Sequence, residues 1–121
     1  MTFTINIEIY DCRIHVLNSV NDHDFELYMF QHFKMLLKRI SGQGTCWTIT
    51  DTKGKEHYLL DLKIPMKKNP DCINLLVHEA LHVTFAIAEK IKMPYTIDFD
   101  EPFCYLHGFI VQKLWEGIYE H

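Results

Sequence analysis

The sequence lacks any run of like-charged residues, and its formal net charge is only -4. A protein that follows a nucleic-acid backbone needs a basic patch or stripe, so we expect no nucleic-acid partner. The four cysteines are scattered and include no C-x-x-C pair. Disulfide-rich secreted domains are dense in cysteine, so this pattern favours reduced thiols and a cytoplasmic location.

Long apolar segments are also missing. The most apolar stretch, Leu75 to Ala88, is too short to cross a bilayer and is interrupted by His78, Glu79 and His82, so we expect no membrane partner. The first residues alternate polar and apolar side chains and do not have the composition of a signal peptide. A chain of 121 residues predicts one domain, residues 1–121, with a single core.

The first half of the chain predicts strands and one helix. Alternating side chains predict strands from Thr4 to Tyr10 and from Arg13 to Leu17, joined either by a hairpin or as one bent strand. Apolar residues spaced by three and four predict a helix from Asp22 to Ile40 that ends at Gly42. Two further strand-like segments predict an antiparallel hairpin within Cys46 to Ile64.

The second half predicts two helices. Asn69 can cap a helix from Pro70 to about Ile91, and Asp100 can cap a last helix that continues to about Gly117. The order of elements predicts an α+β fold. In this fold a small, mostly antiparallel sheet packs against one N-terminal helix and two C-terminal helices.

The helix from Pro70 carries the segment HEALH. His78 and His82 are four residues apart, so both imidazoles can point at one ion, and neutral imidazoles suit Zn²⁺. Glu79 lies beside that point, where its carboxylate can accept a proton from water. A chance match is the alternative in a chain with eight histidines. The apolar surroundings favour a metal site, because unpaired polar groups would be costly there.

The residues that follow HEALH indicate which class of zinc metallopeptidase the motif resembles. Phe85 and Ala88 occupy the glycine and third-histidine positions of the metzincin pattern, which excludes that class. Eighteen residues separate His82 from Glu101. This H-E-x-x-H-x18-E arrangement resembles the gluzincin metallopeptidases.

A second segment adds to this likeness. The sequence DEPFCYLHGF is similar to the E-x-x-A-Y-L-x-G segment of small gluzincin-like proteins of bacteriophages and mobile elements, with Glu101, Tyr105 and Gly108 in matching positions. The resemblance implies a minimal zincin-like domain in which His78, His82 and Glu101 hold Zn²⁺ and Glu79 is the general base. For a phage-encoded chain it implies the cytoplasm of a bacterial host.

Several residues near this site remain open to other interpretations. Tyr105 lies one helical turn after Glu101 and could orient the glutamate or stabilise an oxyanion, or it could be a core tyrosine. His107 is a weaker candidate for the third ligand, because it lies nearly two turns after Glu101 and should point elsewhere. Asp98 and Asp100 are alternative oxygen ligands or could accept a hydrogen bond from an imidazole N–H, and Asp100 is expected to be a helix cap.

Cys104 stands where the similar segment has alanine, and we expect a small buried thiol there. Gly108 is expected to allow close approach of a neighbouring helix. Five histidines have no partner at metal-ligand spacing and are expected at ordinary surface or boundary positions: His15, His23, His32, His57 and His121.

These features predict zinc-dependent hydrolysis of peptide bonds. A peptide or protein substrate would lie along an edge strand, for which HYLLDLKI is the leading candidate. The alternative is a non-catalytic, zinc-stabilised protein-binding module with a closed four-ligand site. The sequence predicts neither the cleavage specificity nor the oligomeric state.

Overall fold

A computed structural model describes residues 1–93, 96–97 and 100–120 of the chain. The elements in chain order are β1 (Thr2–Ile7), a short 3-10 helix (Glu8–Tyr10), β2 (Cys12–Asn18), α1 (Asp22–Phe33), β3 (Gly44–Thr50), β4 (Glu56–Leu62), α2 (Pro70–Lys90) and α3 (Asp100–Tyr119). The α+β class is confirmed.

The four strands form one mixed sheet in the order β1-β2-β4-β3. β1 and β2 are antiparallel, β3 and β4 are antiparallel, and β2 and β4 are parallel. The mostly antiparallel character is therefore confirmed, but one central pairing is parallel. HYLLDLKI covers β4 except for its first residue, and β4 pairs with a strand on each side, so the prediction of this segment as the edge strand was wrong. The strand at the edge near α2 is β3.

Helices pack on both faces of the sheet. One buried cluster joins α1 to residues such as Leu17 and Leu59, and a second joins α2 and α3 to residues such as Ile14 and Leu60. Successive residues of a strand point to opposite faces, which is why neighbours such as Leu59 and Leu60 belong to different clusters. α1 therefore covers one face, while α2 and α3 cover the other.

The observed ends of β2 and α2 lie within one residue of the predicted ones, whereas β1 ends at Ile7 instead of Tyr10 and α1 ends at Phe33 instead of Ile40. Asn69 accepts a hydrogen bond from the Cys72 N–H at 2.8 Å, so the predicted cap of α2 is confirmed. β1 and β2 form a hairpin through the 3-10 helix and Asp11, whose φ is 49°. The expected continuation of α1 to Ile40 was wrong, because Lys34 is left-handed with a φ of 57° and ends the helix.

The segment that follows α1 is fixed by a buried ion pair. Asp61 in β4 is fully buried, and the Arg39 side chain is only 2% exposed. The Arg39 guanidinium donates hydrogen bonds to both Asp61 oxygens, at 2.7 Å and 3.0 Å, and one to the Ser19 carbonyl oxygen at 2.7 Å. The residues between Lys34 and Gly44 are thereby attached to the sheet without forming a helix.

Removal of this guanidinium should destabilise the fold strongly. We expect Arg39→Met to lower the free energy of unfolding by about 3–5 kcal/mol, because the buried Asp61 carboxylate would lose its hydrogen-bonded partner and keep only Lys63, 3.9 Å away, as a cationic neighbour. Urea denaturation followed by circular dichroism measures the change.

Two further variants make the comparison specific. Arg13→Met removes an exposed guanidinium that binds Asn6 at 3.0 Å and should change stability by less than about 0.5 kcal/mol. The double variant Arg39→Met/Asp61→Leu should recover part of the loss, since both charges of the ion pair are removed and only Lys63, 3.9 Å from Asp61, remains as a buried charge. Equal stability of the Arg39 and Arg13 variants would contradict the expected role of the ion pair.

Candidate metal centre

α2 places the HEALH segment at the border of its buried stripe. Leu76, Ala80 and Val83 are buried against the sheet and α3, and Glu79 is also buried, with 5% of its surface exposed. His78 and His82 are exposed. The motif is therefore amphipathic, with the carboxylate turned inward and the imidazoles open to solvent.

The two imidazoles converge. His78 Nε2 and His82 Nε2 are 3.1 Å apart, and the potential ligand atoms of His78, Glu79 and His82 all lie within 4.8 Å of one another. Two nitrogen ligands of a tetrahedral zinc, each at 2.0–2.1 Å, are roughly 3.3 Å apart. The histidine pair therefore fits one metal ion, and the structure supports a metal-binding group without identifying the metal.

Glu79 is positioned by the start of the edge strand. A Cβ atom added to Gly44 would lie 2.9 Å from Glu79 Cγ and 3.0 Å from Glu79 Oε1, so only glycine allows this side chain its present position. Gly44 is the first residue of β3. The glutamate is thus held between α2 and the free edge of the sheet.

A cavity of about 320 Å³ opens beside this contact. Its lining combines the motif with the first turns of α2 and the start of β3, namely Gln43, Gly44, Asp71, Asn74, Leu75, His78 and Glu79. The cavity therefore gives access to His78 and Glu79 from the side of the edge strand.

Two side chains near Glu79 have shifted pKa values. Burial lowers the pKa of Lys63, and the charges of Asp61 and Glu79 oppose that shift. Burial, followed by the Glu79 charge, raises the pKa of Cys46 to about 12. Cys46 is consequently a neutral thiol near pH 7 and does not compete with the imidazoles as a thiolate ligand.

The structure does not bring the two predicted α3 residues into this group. Glu101 is exposed in the first turn of α3 and is not part of the cluster that His78, Glu79 and His82 form among the described residues. Tyr105 is 75% exposed and lines a different groove of about 890 Å³, which shares no lining residue with the cavity at His78.

The rotation of α3 explains this placement. Phe103 contacts Phe85 of α2 with ring centroids 5.1 Å apart, and His107, one turn later, lies with Nε2 3.4 Å from the Val77 carbonyl oxygen. Phe103 and His107 therefore face α2. Glu101 precedes Phe103 by two positions, which is about 200° around the helix. His107 thus lies against the backbone of α2, but it is not part of the cluster that His78, Glu79 and His82 form among the described residues.

Two smaller predictions, for Cys104 and Gly108, also have outcomes. Cys104 is exposed, so the expected buried thiol was wrong. A Cβ at Gly108 would have no atom within 4 Å, so this glycine does not serve close packing, whereas Gly117 lies against Phe3. Asp98, an alternative ligand, lies outside the described residues.

Sequence reasoning missed one buried histidine. His15 is 5% exposed and lies on the face of β2 that α1 covers, where a surface or boundary position was expected. The alternation in β2 could have indicated this, because His15 and Leu17 share a face in a strand whose apolar residues are buried. His121 lies outside the described residues.

α2 has the length and composition of a helix that could cross a membrane. It has 21 residues, and its mean hydropathy reaches 1.2 over a window of 18 residues. In that window 44% of the residues are buried inside the protein. Length and composition are weak support for a membrane span, because a helix that packs in a protein core passes the same test.

A methyl group at Gly44 should disturb the Glu79 position. We expect Gly44→Ala to lower the free energy of unfolding by about 1–3 kcal/mol, since the new Cβ overlaps the Glu79 side chain. Gly108→Ala is the matched control and should stabilise α3 by up to about 1 kcal/mol, because its Cβ meets no other atom. Urea denaturation of both variants measures the difference. Similar effects of the two substitutions would contradict the close contact.

Comparison of the chain with known protein families, curated proteins and solved structures finds no match. The resemblance to gluzincins therefore depends on the residues of the chain itself. Of these, the structure brings together His78, Glu79 and His82.

Proposed function

We propose that the protein is a zinc-dependent peptidase. The observation that supports this most directly is the convergence of the His78 and His82 Nε2 atoms beside the buried Glu79 carboxylate. A cavity and the free edge of β3 lie next to this group. Two ligands, a base and a surface for an extended peptide are thus adjacent.

His78 and His82 would hold the zinc through Nε2. Glu101 is the proposed third ligand on the basis of the resemblance to gluzincins alone, since it lies outside the cluster of His78, Glu79 and His82. Neutral imidazole and carboxylate groups are common zinc ligands, so the donor set fits the metal. When bound, zinc polarises a carbonyl group and lowers the pKa of water to about 7.

Glu79 is the proposed general base. Its carboxylate accepts a proton from the water that attacks the peptide carbonyl carbon, and it then donates that proton to the amine as the C–N bond breaks. Burial between α2 and Gly44 restricts the motion of the side chain, which keeps the carboxylate beside the imidazoles.

β3 is the proposed binding strand. Among the described residues it pairs only with β4, so the backbone groups along its other edge are open to an added strand. Its first residue, Gly44, contacts Glu79 and lines the cavity. A peptide paired along β3 would therefore pass close to His78 and Glu79.

Substitution of the base should separate metal binding from hydrolysis. We expect Glu79→Gln to reduce peptide cleavage by at least about 100-fold, because the amide cannot accept the proton, while one zinc per chain is retained. Elemental analysis and cleavage of a peptide library measure the two properties. Glu89→Gln, an exposed position on the same helix, is the control and should keep both. Unchanged cleavage by Glu79→Gln would refute the mechanism.

The third ligand has its own test. We expect Glu101→Gln to weaken zinc binding by more than about 100-fold, since loss of groups that only support a ligand already weakens binding by 10–100-fold. His107→Gln should leave the affinity unchanged. Competition with a chromophoric chelator measures both dissociation constants. The reverse result would assign the ligand to His107, an α3 side chain that lies against α2.

A non-catalytic, zinc-stabilised binding module is the second candidate. One observation favours it: the cavity is small, and its described lining comes from α2 and the segment that begins β3, without a second lobe to enclose a substrate. In this case chelation would loosen the packing of α2 on α3, and neither the wild type nor Glu79→Gln would cleave any peptide.

A further inference from the structure

A chain of three hydrogen bonds connects α1 to the sheet far from HEALH in the sequence. Tyr28 Oη lies 2.7 Å from His15 Nδ1, His15 Nε2 lies 3.2 Å from His57 Nδ1, and His57 Nε2 lies 2.9 Å from Asp51 Oδ2. The four residues come from α1, β2, β4 and the turn between β3 and β4. The chain thus joins two strands of the sheet and the turn between β3 and β4 to the helix that covers the sheet.

The direction of these hydrogen bonds follows from Asp51. The hydrogen bond from His57, and then the Lys55 and Lys53 N–H groups, lower the pKa of Asp51, so its carboxylate is ionised and only accepts. His57 must then carry its proton on Nε2 and accept at Nδ1. His15 donates from Nε2 and accepts from the Tyr28 hydroxyl at Nδ1. Every group is satisfied when both imidazoles are neutral.

One added proton can be accommodated by reversal of the chain. A doubly protonated His57 still donates to Asp51 and now also donates from Nδ1 to His15 Nε2. His15 must then move its own proton to Nδ1 and donate to the Tyr28 oxygen. A second proton, on His15, would bring two N–H groups face to face at a nitrogen separation of 3.2 Å.

The surroundings of His15 oppose that second proton. The α1 side chains nearest to it are Tyr28, Phe33 and His32, whose ring centroids lie 5.0–6.1 Å from the imidazole. Arg13 adds a positive charge from the same strand, and β1 contributes the uncharged Thr4. Phe33 also packs on His57, with ring centroids 5.4 Å apart.

We propose that Tyr28, His15, His57 and Asp51 form a proton-operated latch that holds α1 on the sheet, accepts one proton by reversing its hydrogen bonds, and opens when His15 accepts a second. The latch is separate from the metal centre and does not depend on the proposed peptidase activity. A fall in pH opens the latch and weakens the contact of α1 with the sheet.

The pH range follows from the sign of the His15 shift. Burial, followed by the charges of His57, His32 and Arg13, lowers the pKa of His15 from 6.5 to about 4. Between these values the unfolded chain binds more protons at this position than the folded chain does. The stability contributed by neutral His15 is therefore complete above about pH 6.5 and is lost as the pH falls towards 4.

Nitrogen chemical shifts of the imidazoles test the reversal. We expect long-range ¹⁵N–¹H spectra of the full chain at pH 8 to show the Nε2–H tautomer of both His15 and His57. When acidification protonates His57 on both nitrogens, His15 should change to the Nδ1–H tautomer. If His15 keeps the Nε2–H tautomer while His57 is doubly protonated, the latch is refuted.

Amide hydrogen exchange tests the opening. Between pH 6.5 and 4.5, exchange in α1 relative to α2 should rise by about tenfold after correction for intrinsic rates. Tyr28→Phe removes the acceptor for reversed His15 and should shift this rise to higher pH. His23→Gln, an exposed substitution on α1, should behave as the wild type. Parallel changes in α1 and α2 at every pH, or no shift in Tyr28→Phe, would also overturn the proposal.

Discussion

The contact between Gly44 and Glu79 determines how the candidate site is assembled. Because Gly44 has no side chain, α2 can place a carboxylate directly against the first residue of the edge strand. That position depends in turn on the preceding segment, which Arg39 attaches to buried Asp61. The Lys63 N–H continues the ladder with a hydrogen bond to the Gln43 carbonyl oxygen at 2.8 Å. A buried ion pair on the sheet thus fixes where β3 begins and which residue the Glu79 side chain contacts.

The elements that the sequence predicts well are those that local geometry defines. The strands alternate, α2 has a cap at Asn69, and residues 78 and 82 share a helix face in any α-helix, so their convergence needs no tertiary information. The end of α1 was not predictable in this way. Met35 and Leu37 continue an apolar pattern beyond Phe33, yet they pack on the α1 cluster as irregular chain. The position of Arg39 depends on Asp61, which is 22 residues away.

The order of strands in the sheet was also not predictable from local sequence patterns. β4 was expected at the edge, although its apolar run from Tyr58 to Leu60 is typical of a strand that is covered on both faces. The parallel pairing of β2 with β4 joins segments that lie more than 40 residues apart, so no short pattern reveals it. The rotation of α3 is equally non-local. Phe103 and His107 face α2 because of how the helices pack, and spacing along the chain says nothing about this contact.

The two histidine pairs differ in how their outer nitrogens are held. His78 and His82 are 3.1 Å apart on the exposed side of α2, and His15 and His57 are 3.2 Å apart beneath α1. In the second pair, Tyr28 and Asp51 form hydrogen bonds with the remaining nitrogens, which defines the position of each proton. We therefore expect this pair to respond to acid. The first pair is open to solvent beside a carboxylate, where an ion can displace the shared proton and bind both nitrogens. Similar separations thus suit different chemistry, because burial and the neighbouring groups decide whether a proton or a metal lies between the rings.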